Sequence, residues 1–119
     1  ADPLSPKITA RVAVLMDRHT QSAGETELGM FKYNQSATLI GEATHGANGI
    51  ISFISILGGY ENGGFDVGMT GMVANNADGS LLQTIGILPD IEVKQSVTGV
   101  REGRDELFDA ALNHIKSSL

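Results

Sequence analysis

Arg11-Val12-Ala13-Val14-Leu15-Met16-Asp17-Arg18-His19-Thr20-Gln21-Ser22-Ala23-Gly24-Glu25 contains a strand, a polar crossing and a helix start in immediate succession. The run Ala10 to Leu15 is compact, largely apolar, carries two valines and is too short for a free-standing helix, so it reads as a buried strand. Met16 to Gln21 is the polar crossing. Ser22-Ala23-Gly24-Glu25 then has the S-x-x-E form of a capping box, in which a serine hydroxyl and a glutamate three residues later satisfy the free amides of a helix start. A helix is expected from Ser22 to the breaker Asn34-Gln35-Ser36, with Ala23, Thr26 or Glu27, Met30 and Phe31 on its inner face and Leu28 beside them. Ala37 to Gly41 is the next apolar run. Strand, helix and strand at this spacing predict a βαβ crossover with parallel strands.

Beyond residue 41 the pattern changes. Glycines punctuate short strands such as Ile50 to Leu57 and Val67 to Val73, which predicts hairpins and turns. Asn76-Ala77-Asp78-Gly79 is a turn signal, because Asp-Gly supplies the positive φ that a tight turn demands, and Ile85 to Ile87 with Ile91 to Val93 read as two more short strands around Leu88-Pro89-Asp90. Asp90 reads as a structural turn residue. The chain closes on a helix from Asp105 to Lys116, with Leu107, Phe108, Ala111, Leu112 and Ile115 on one face and His114 on the solvated flank. The fold class that follows is α/β: a mixed sheet with a βαβ unit, hairpins and a C-terminal helix.

Composition narrows the function classes. The 119 residues are 41% hydrophobic, enough for one domain with a modest core, and with 5% aromatics and no tryptophan that core must be Ile, Leu, Val, Met and Ala. Eight basic against fourteen acidic side chains leave a net charge of −6, and no Lys or Arg run offers a track for phosphates, so nucleic acid is not expected as a partner. The absence of cysteine excludes a disulfide or a thiolate nucleophile within the chain. The longest apolar stretch, Ile50 to Leu57, is broken by Ser52 and Ser55 and is too short to insert stably in a bilayer. The chain opens on Ala1-Asp2-Pro3, without Met or an apolar leader, and residues 1–7 read as a linker or a cloning or cleavage remnant.

A serine at the start of a helix after a buried strand sits where backbone amides are free, which suits a nucleophile whose oxyanion the amide of Ala23 would hold. The plain alternative is that Ser22 and Glu25 only cap the helix. The wider order of motifs bears on that choice. The Arg11 to Glu25 segment resembles the strand, loop and Ser-Ala-x-Glu nucleophile turn of the tail-specific (C-terminal-processing) serine peptidases. Ala37-Thr38-Leu39-Ile40-Gly41-Glu42-Ala43-Thr44-His45-Gly46 resembles the next strand and loop of that family. Asp78-Gly79-Ser80, Gly86-Ile87-Leu88-Pro89-Asp90-Ile91-Glu92-Val93 and Gly103 to Leu112 are similar to its closing signatures. Five motifs in order cover nearly the whole chain.

The resemblance implies a ClpP/crotonase-like domain, of which residues 1–119 are the C-terminal part. It also implies a serine endopeptidase acting through an acyl-enzyme on Ser22, with unstructured polypeptide ends as substrate. It favours an extracytoplasmic bacterial setting and, as a partner, either the N-terminal part of the same protein or another copy of the chain. No cofactor and no metal are expected, since the three histidines lack acidic or Cys partners at ligand spacing. In the Ser/Lys branch a lysine follows the Gly-Glu loop, and Ala47 stands at that position here. The chain is thus nearer the branch of tricorn-like and retinoid-binding relatives, whose histidine base comes from earlier in the chain. There an acidic residue three before the Gly of G-x-x-PD orients the base, and here that position is Gln83. His45, in the loop facing Ser22, is the local substitute base, while His19 reads as a loop or substrate-side residue. Gly58 to Gly64 lacks the Lys-Ser/Thr of a phosphate loop and reads as turns. The rival reading, motivated by Ala47 and Gln83, is a catalytically inactive module that binds a peptide or a hydrophobic ligand.

Overall fold

The computed structural model describes Ser5, Pro6 and residues 9–117, so most of the expected linker over residues 1–7 lies outside the described residues. In chain order the elements are strand β1 (Ala13–Met16), helix α1 (Ala23–Tyr33), strands β2 (Thr38–Gly41), β3 (Ile51–Ile56), β4 (Phe65–Thr70) and β5 (Ile91–Glu92), and helices α2 (Val97–Glu102) and α3 (Glu106–Lys116). The architecture is α/β, with its parallel and antiparallel strands in two separate sheets. None of the described helices is long and apolar enough to cross a membrane.

The expected βαβ unit is present: β1 and β2 run parallel with Ala13 opposite Thr38 and Met16 opposite Gly41. β5 adds in parallel on the other side of β2, giving the order β1-β2-β5. The middle strand is covered on both faces, which is why Leu39 and Ile40 are fully buried. The strand expected from Ala10 starts instead at Ala13, because β2 begins at Thr38 and leaves the earlier residues without a ladder partner beyond the Thr38 N–H to Val12 bond. Gly41 is required where β2 leaves the sheet: its φ is 139° and a Cβ would lie 1.9 Å from Met16 O.

Asp90 is structural, as expected, but reaches far from its own turn. Its Oδ2 accepts from Leu39 N–H at 2.8 Å, its own N–H donates to Leu39 O at 2.8 Å, and Lys32 Nζ lies 3.0 Å from Oδ1. The strand expected over Ile85 to Ile87 is absent. Ile85 and Gly86 N–H both turn back on Leu82 O, at 3.1 and 2.8 Å, and Ile87 becomes a plug in the core with Met16, Leu28, Leu39 and Leu82.

Helix α1 starts and stops where the sequence places it but presents a different face. Its buried residues are Glu25 and Leu28, while Met30 is 61% exposed and Phe31 is exposed. The inward stripe runs Glu25, Leu28, Gly29 and Lys32, a helical spacing whose two ends are charged. Apolar periodicity therefore misses it. Helix α3 packs on β1 and β2 through Ala111 with Leu107, Leu112 and Ile115 half-buried, whereas Phe108 is exposed. His114, expected in solvent, lies on the half-buried side with Nε2 3.1 Å from Thr38 Oγ1, because three residues past Ala111 the helix still faces the sheet. Helix α2 carries no apolar stripe to announce it. It is set by its ends: Ser96 Oγ accepts from Gly99 N–H at 2.9 Å and Gly103 closes it at φ 68°.

β3 and β4 form an antiparallel hairpin joined by turns at Gly58 to Gly64, with Phe53 opposite Gly68 and Ile56 opposite Phe65. Every strand residue is exposed. Ile54, Ile56, Phe65, Val67 and Met69 share one face, and Ile51, Phe53, Gly68 and Thr70 the other. The hairpin stands off the parallel sheet, which accounts for a radius of gyration of 18.6 Å where about 13 to 14 Å is usual for a compact domain of this length.

Burial raises the Asp90 carboxyl, but the Leu39 amide and then Lys32 outweigh it and hold the group below the ordinary carboxylate range. A depressed pKa in the folded state adds stability that is present above the unfolded value and is lost as pH falls through the folded one. Asp90→Asn is therefore expected to lower the melting temperature at pH 7 by a few degrees at most, since the side chain is 40% exposed. The difference from wild type should narrow between about pH 5 and pH 3, as thermal unfolding at stepped pH will measure.

Candidate active site

The site grows out of the end of β1. Asp17 Oδ1 accepts from His19 N–H at 3.0 Å, from Thr20 N–H at 3.0 Å and from the Thr20 hydroxyl at 3.1 Å, which folds the polar crossing into a tight turn. Slight burial raises the Asp17 carboxyl, and these three donors, with the nearby His19, bring it below its usual value. Gly24 N–H returns to Gln21 O at 3.1 Å, and a Cβ on Gly24 would meet Thr20 Cγ2 at 2.8 Å. The chain thus arrives at Ser22 with little freedom left.

Ser22 is the N-cap of α1, exposed, with φ 54° and ψ −118°. An L residue held there costs about 1–3 kcal/mol, so its surroundings must over-determine it. Ser22 N–H donates to Ala47 O at 2.9 Å and to Glu25 Oε2 at 3.2 Å. Ser22 O accepts from Thr26 N–H at 3.1 Å and from Asn48 Nδ2 at 3.0 Å. Ser22 and Glu25 form the expected capping box, but its well-formed half is the glutamate's, and the serine hydroxyl makes no side-chain cap bond of ordinary geometry. Ala23 N–H, at the first turn, has no acceptor among the described residues.

Glu25 does more than cap. It is 0% exposed, and its Oε1 accepts from the Thr44 hydroxyl at 2.7 Å and from Gly46 N–H at 2.6 Å. The same Thr44 oxygen accepts from Ile87 N–H at 2.8 Å, and Thr44 N–H donates to Ile87 O at 3.1 Å. Gly86 is obligatory beside it: φ is 79° and a Cβ would lie 2.4 Å from Thr44 O. One carboxylate therefore ties together the serine turn, the loop of residues 42–49 and the segment that enters β5.

Ser22 opens onto a groove of about 480 Å³. Gln21, Ser22 and Ala47 to Gly49 form one wall, Ile51, Phe53, Gly68, Met69 and Thr70 of the hairpin form the other, and Gln83 closes it. The Phe53 ring lies over Gly68, where a Cβ would come within 3.0 Å of it, so the wall is flat and apolar. Among the described residues, no charged side chain lines this groove.

Residues 2–93 match the model of peptidase family S41. The chain belongs to peptidase family S41. Among solved structures, it is similar to a peptidase from Parabacteroides merdae ATCC 43184 described as putative (TM-score 0.78, 22% identity, 92% of this chain and 33% of that one). It is also similar to mature CPAF complexed with lactacystin (TM-score 0.69, 19% identity, 91% of this chain and 19% of that one). A third likeness is to the photosystem II D1 C-terminal processing protease (TM-score 0.56, 26% identity, 72% of this chain and 21% of that one). At the lower identities the likeness is one of fold. The chain spans between 19% and 33% of the length of these structures. Among curated proteins, none matches.

Of the residues singled out in the sequence of this S41 chain, Ser22, Ala47 and Gln83 line the same groove. Gln83 Oε1 is buried without a hydrogen-bond partner among the described residues. His45 is exposed and does not line the groove, and its backbone N–H is tied to Thr20 O at 2.9 Å. His19 lies in a separate cleft with Asp17, Glu42 and Arg104. Among the described residues no group of three or more His, Asp and Glu is placed to hold a metal. Thr44 and Asn48 were not singled out in the sequence. Both belong to the same loop as His45, and only the fold shows which of its side chains turn toward Ser22 and Glu25.

Thr44→Val keeps the shape of the side chain while leaving Ile87 N–H unpaired and Glu25 one donor short. A loss of about 2–3 kcal/mol in urea unfolding is expected.

Proposed function

We propose that this chain carries the nucleophile of a serine peptidase, with Ser22 Oγ as the attacking atom and Ala23 N–H as one donor to the oxyanion. The observation that carries the reading is the exposed Ser22, held in a strained turn at the mouth of α1, beside a free amide and open to an apolar groove. A general base takes the hydroxyl proton as Oγ bonds to the peptide carbonyl carbon. The tetrahedral oxyanion is held by aligned backbone donors at the helix start, and its collapse expels the amine, which receives the proton. Water then hydrolyses the acyl-enzyme ester. A groove without charge, walled by a hairpin with exposed backbone and apolar side chains, suits an extended polypeptide with apolar residues, in keeping with tail processing.

The base comes from outside these residues, either from an earlier part of the same protein or from another copy, because Ala47 stands where a lysine would serve. Gln83 faces the groove where it would orient an imidazole, through a hydrogen bond and without the charge a carboxylate offers. His45 is the local substitute and the weaker choice on geometry, since it lies outside the groove lining. The second reading, a peptide-binding module without catalysis, draws on the same Ala47 and on the polar but uncharged Gln83.

A fluorophosphonate probe applied to the full-length protein separates the two. Labelling is expected at Ser22 and should vanish in Ser22→Ala, with peptidase kcat falling on the order of 10⁴ to 10⁶-fold. His45→Ala should label at an unchanged rate, and Gln83→Glu should raise kcat about tenfold or more. A wild-type protein that binds peptide yet reacts with no probe from pH 5 to pH 9 would establish the binding module instead.

A further inference from the structure

The Ser22 carbonyl is held from two directions. Thr26 N–H approaches at 3.1 Å and the Thr26 hydroxyl at 3.4 Å, both from the first turn of α1. Asn48 Nδ2 approaches at 3.0 Å from a different segment and also lies 3.0 Å from Thr26 Oγ1. A carbonyl oxygen only accepts, so it is the amide NH₂ of Asn48 that must face it. Asn48 is itself fixed at both ends. On one side Ala47 O accepts from Ser22 N–H at 2.9 Å, and on the other Gly49 is pressed against Thr70, where a Cβ would lie 2.4 Å from Oγ1.

A trans peptide keeps its C=O and the following N–H antiparallel in one plane. Whatever fixes Ser22 O therefore fixes the direction of Ala23 N–H. The turn at φ 54° and ψ −118° has an easy route to relaxation, a rotation of this single peptide plane that changes Ser22 ψ and Ala23 φ together and leaves the rest of the helix in place. The rotation would break the bonds from Thr26, which belong to the helix itself. The bond from Asn48 comes from outside the helix, and the rotation has to break it.

We propose that Asn48 is a positioning residue for the oxyanion site: its amide locks the Ser22–Ala23 peptide plane so that Ala23 N–H is held toward the developing charge. The proposal rests on the reading of Ser22 as nucleophile. A donor held in place before the reaction favours the transition state over the bound ground state, so its loss falls on the chemical step rather than on binding. Asn48→Asp is the informative variant. It is nearly isosteric and turns a carboxylate on the carbonyl, yet once protonated it regains an O–H donor.

The test is the rate of acylation by a fluorophosphonate in the full-length protein, in which Ser22 Oγ displaces fluoride from phosphorus and its proton passes to the base. Saturation kinetics separate the maximal rate from probe binding. Asn48→Ala and Asn48→Asp are expected to lower the maximal rate about 10 to 100-fold, short of the roughly 10² to 10³-fold that follows deletion of an oxyanion donor, and by more than any change in probe affinity that follows from the place of Asn48 in the groove wall. The ratio of Asn48→Asp to wild type should climb as pH falls below about 5, where a carboxyl with an ordinary value of about 3.9 begins to take up its proton. Thr26→Val removes the acceptor that steadies the Asn48 amide, together with the 3.4 Å hydroxyl bond to Ser22 O, without touching the groove. It should lower the same rate by a smaller factor, about three- to tenfold by the same reasoning, and keeps the test available if Asn48 variants fold poorly. An unchanged maximal rate in all three variants overturns the proposal while leaving Ser22 as nucleophile. So does a loss that appears only in affinity, with a ratio independent of pH. A wild type that no probe labels overturns both.

Discussion

The buried carboxylate of Glu25 is the constraint on which the rest of the arrangement depends. Its two oxygens take donors from Ser22, Thr44 and Gly46, and through the Thr44 hydroxyl it also reaches Ile87. These partners come from three stretches that are far apart in sequence, and backbone bonds such as Ser22 N–H to Ala47 O, His45 N–H to Thr20 O and Thr44 N–H to Ile87 O run beside the carboxylate. A charge taken out of water needs its hydrogen bonds filled, and that requirement converts a loose contact between loops into one geometry. The strained backbone at Ser22 is stable because it is one of the donors.

This also explains which parts of the structure were legible in the letters. The presence of the first strand (though not its extension through Met16), the helix from Ala23 to Tyr33, the parallel strand ending at Gly41 and the final helix follow from hydrophobic period, caps and glycines, which act locally. The inner face of α1 did not follow, since it begins with the buried Glu25 and ends with the half-buried Lys32, two charged residues that turn inward because distant partners await them. His114 was read as solvated for a related reason: a polar residue near an apolar stripe can turn inward when a hydroxyl such as Thr38 stands opposite. The Ile85 to Ile87 run reads as a strand from its two isoleucines, but a turn at Leu82 to Gly86 puts only Ile87 in the core and leaves Ile85 exposed.

The site itself was legible in part. Ser22 is marked by a local motif, and a helix start offers free amides wherever it occurs. Its relation to Gln83, Asn48 and the wall of Ile51 and Phe53 depends on the loop of residues 42–49 folding back over the helix, which no short-range pattern records. Membership of peptidase family S41 agrees with that part of the reading which came from the order of motifs along the whole chain.

The hairpin of β3 and β4 has a mechanical consequence. Only Ile50 separates Gly49 from its first strand residue, and the adjoining Ala47 and Asn48 grip Ser22 by its amide and its carbonyl. A long arm with apolar sides is thus hinged directly onto the Ser22 turn, so a chain that settles along it presses, through a joint of two residues, on the same bonds that hold Ser22 in its strained backbone.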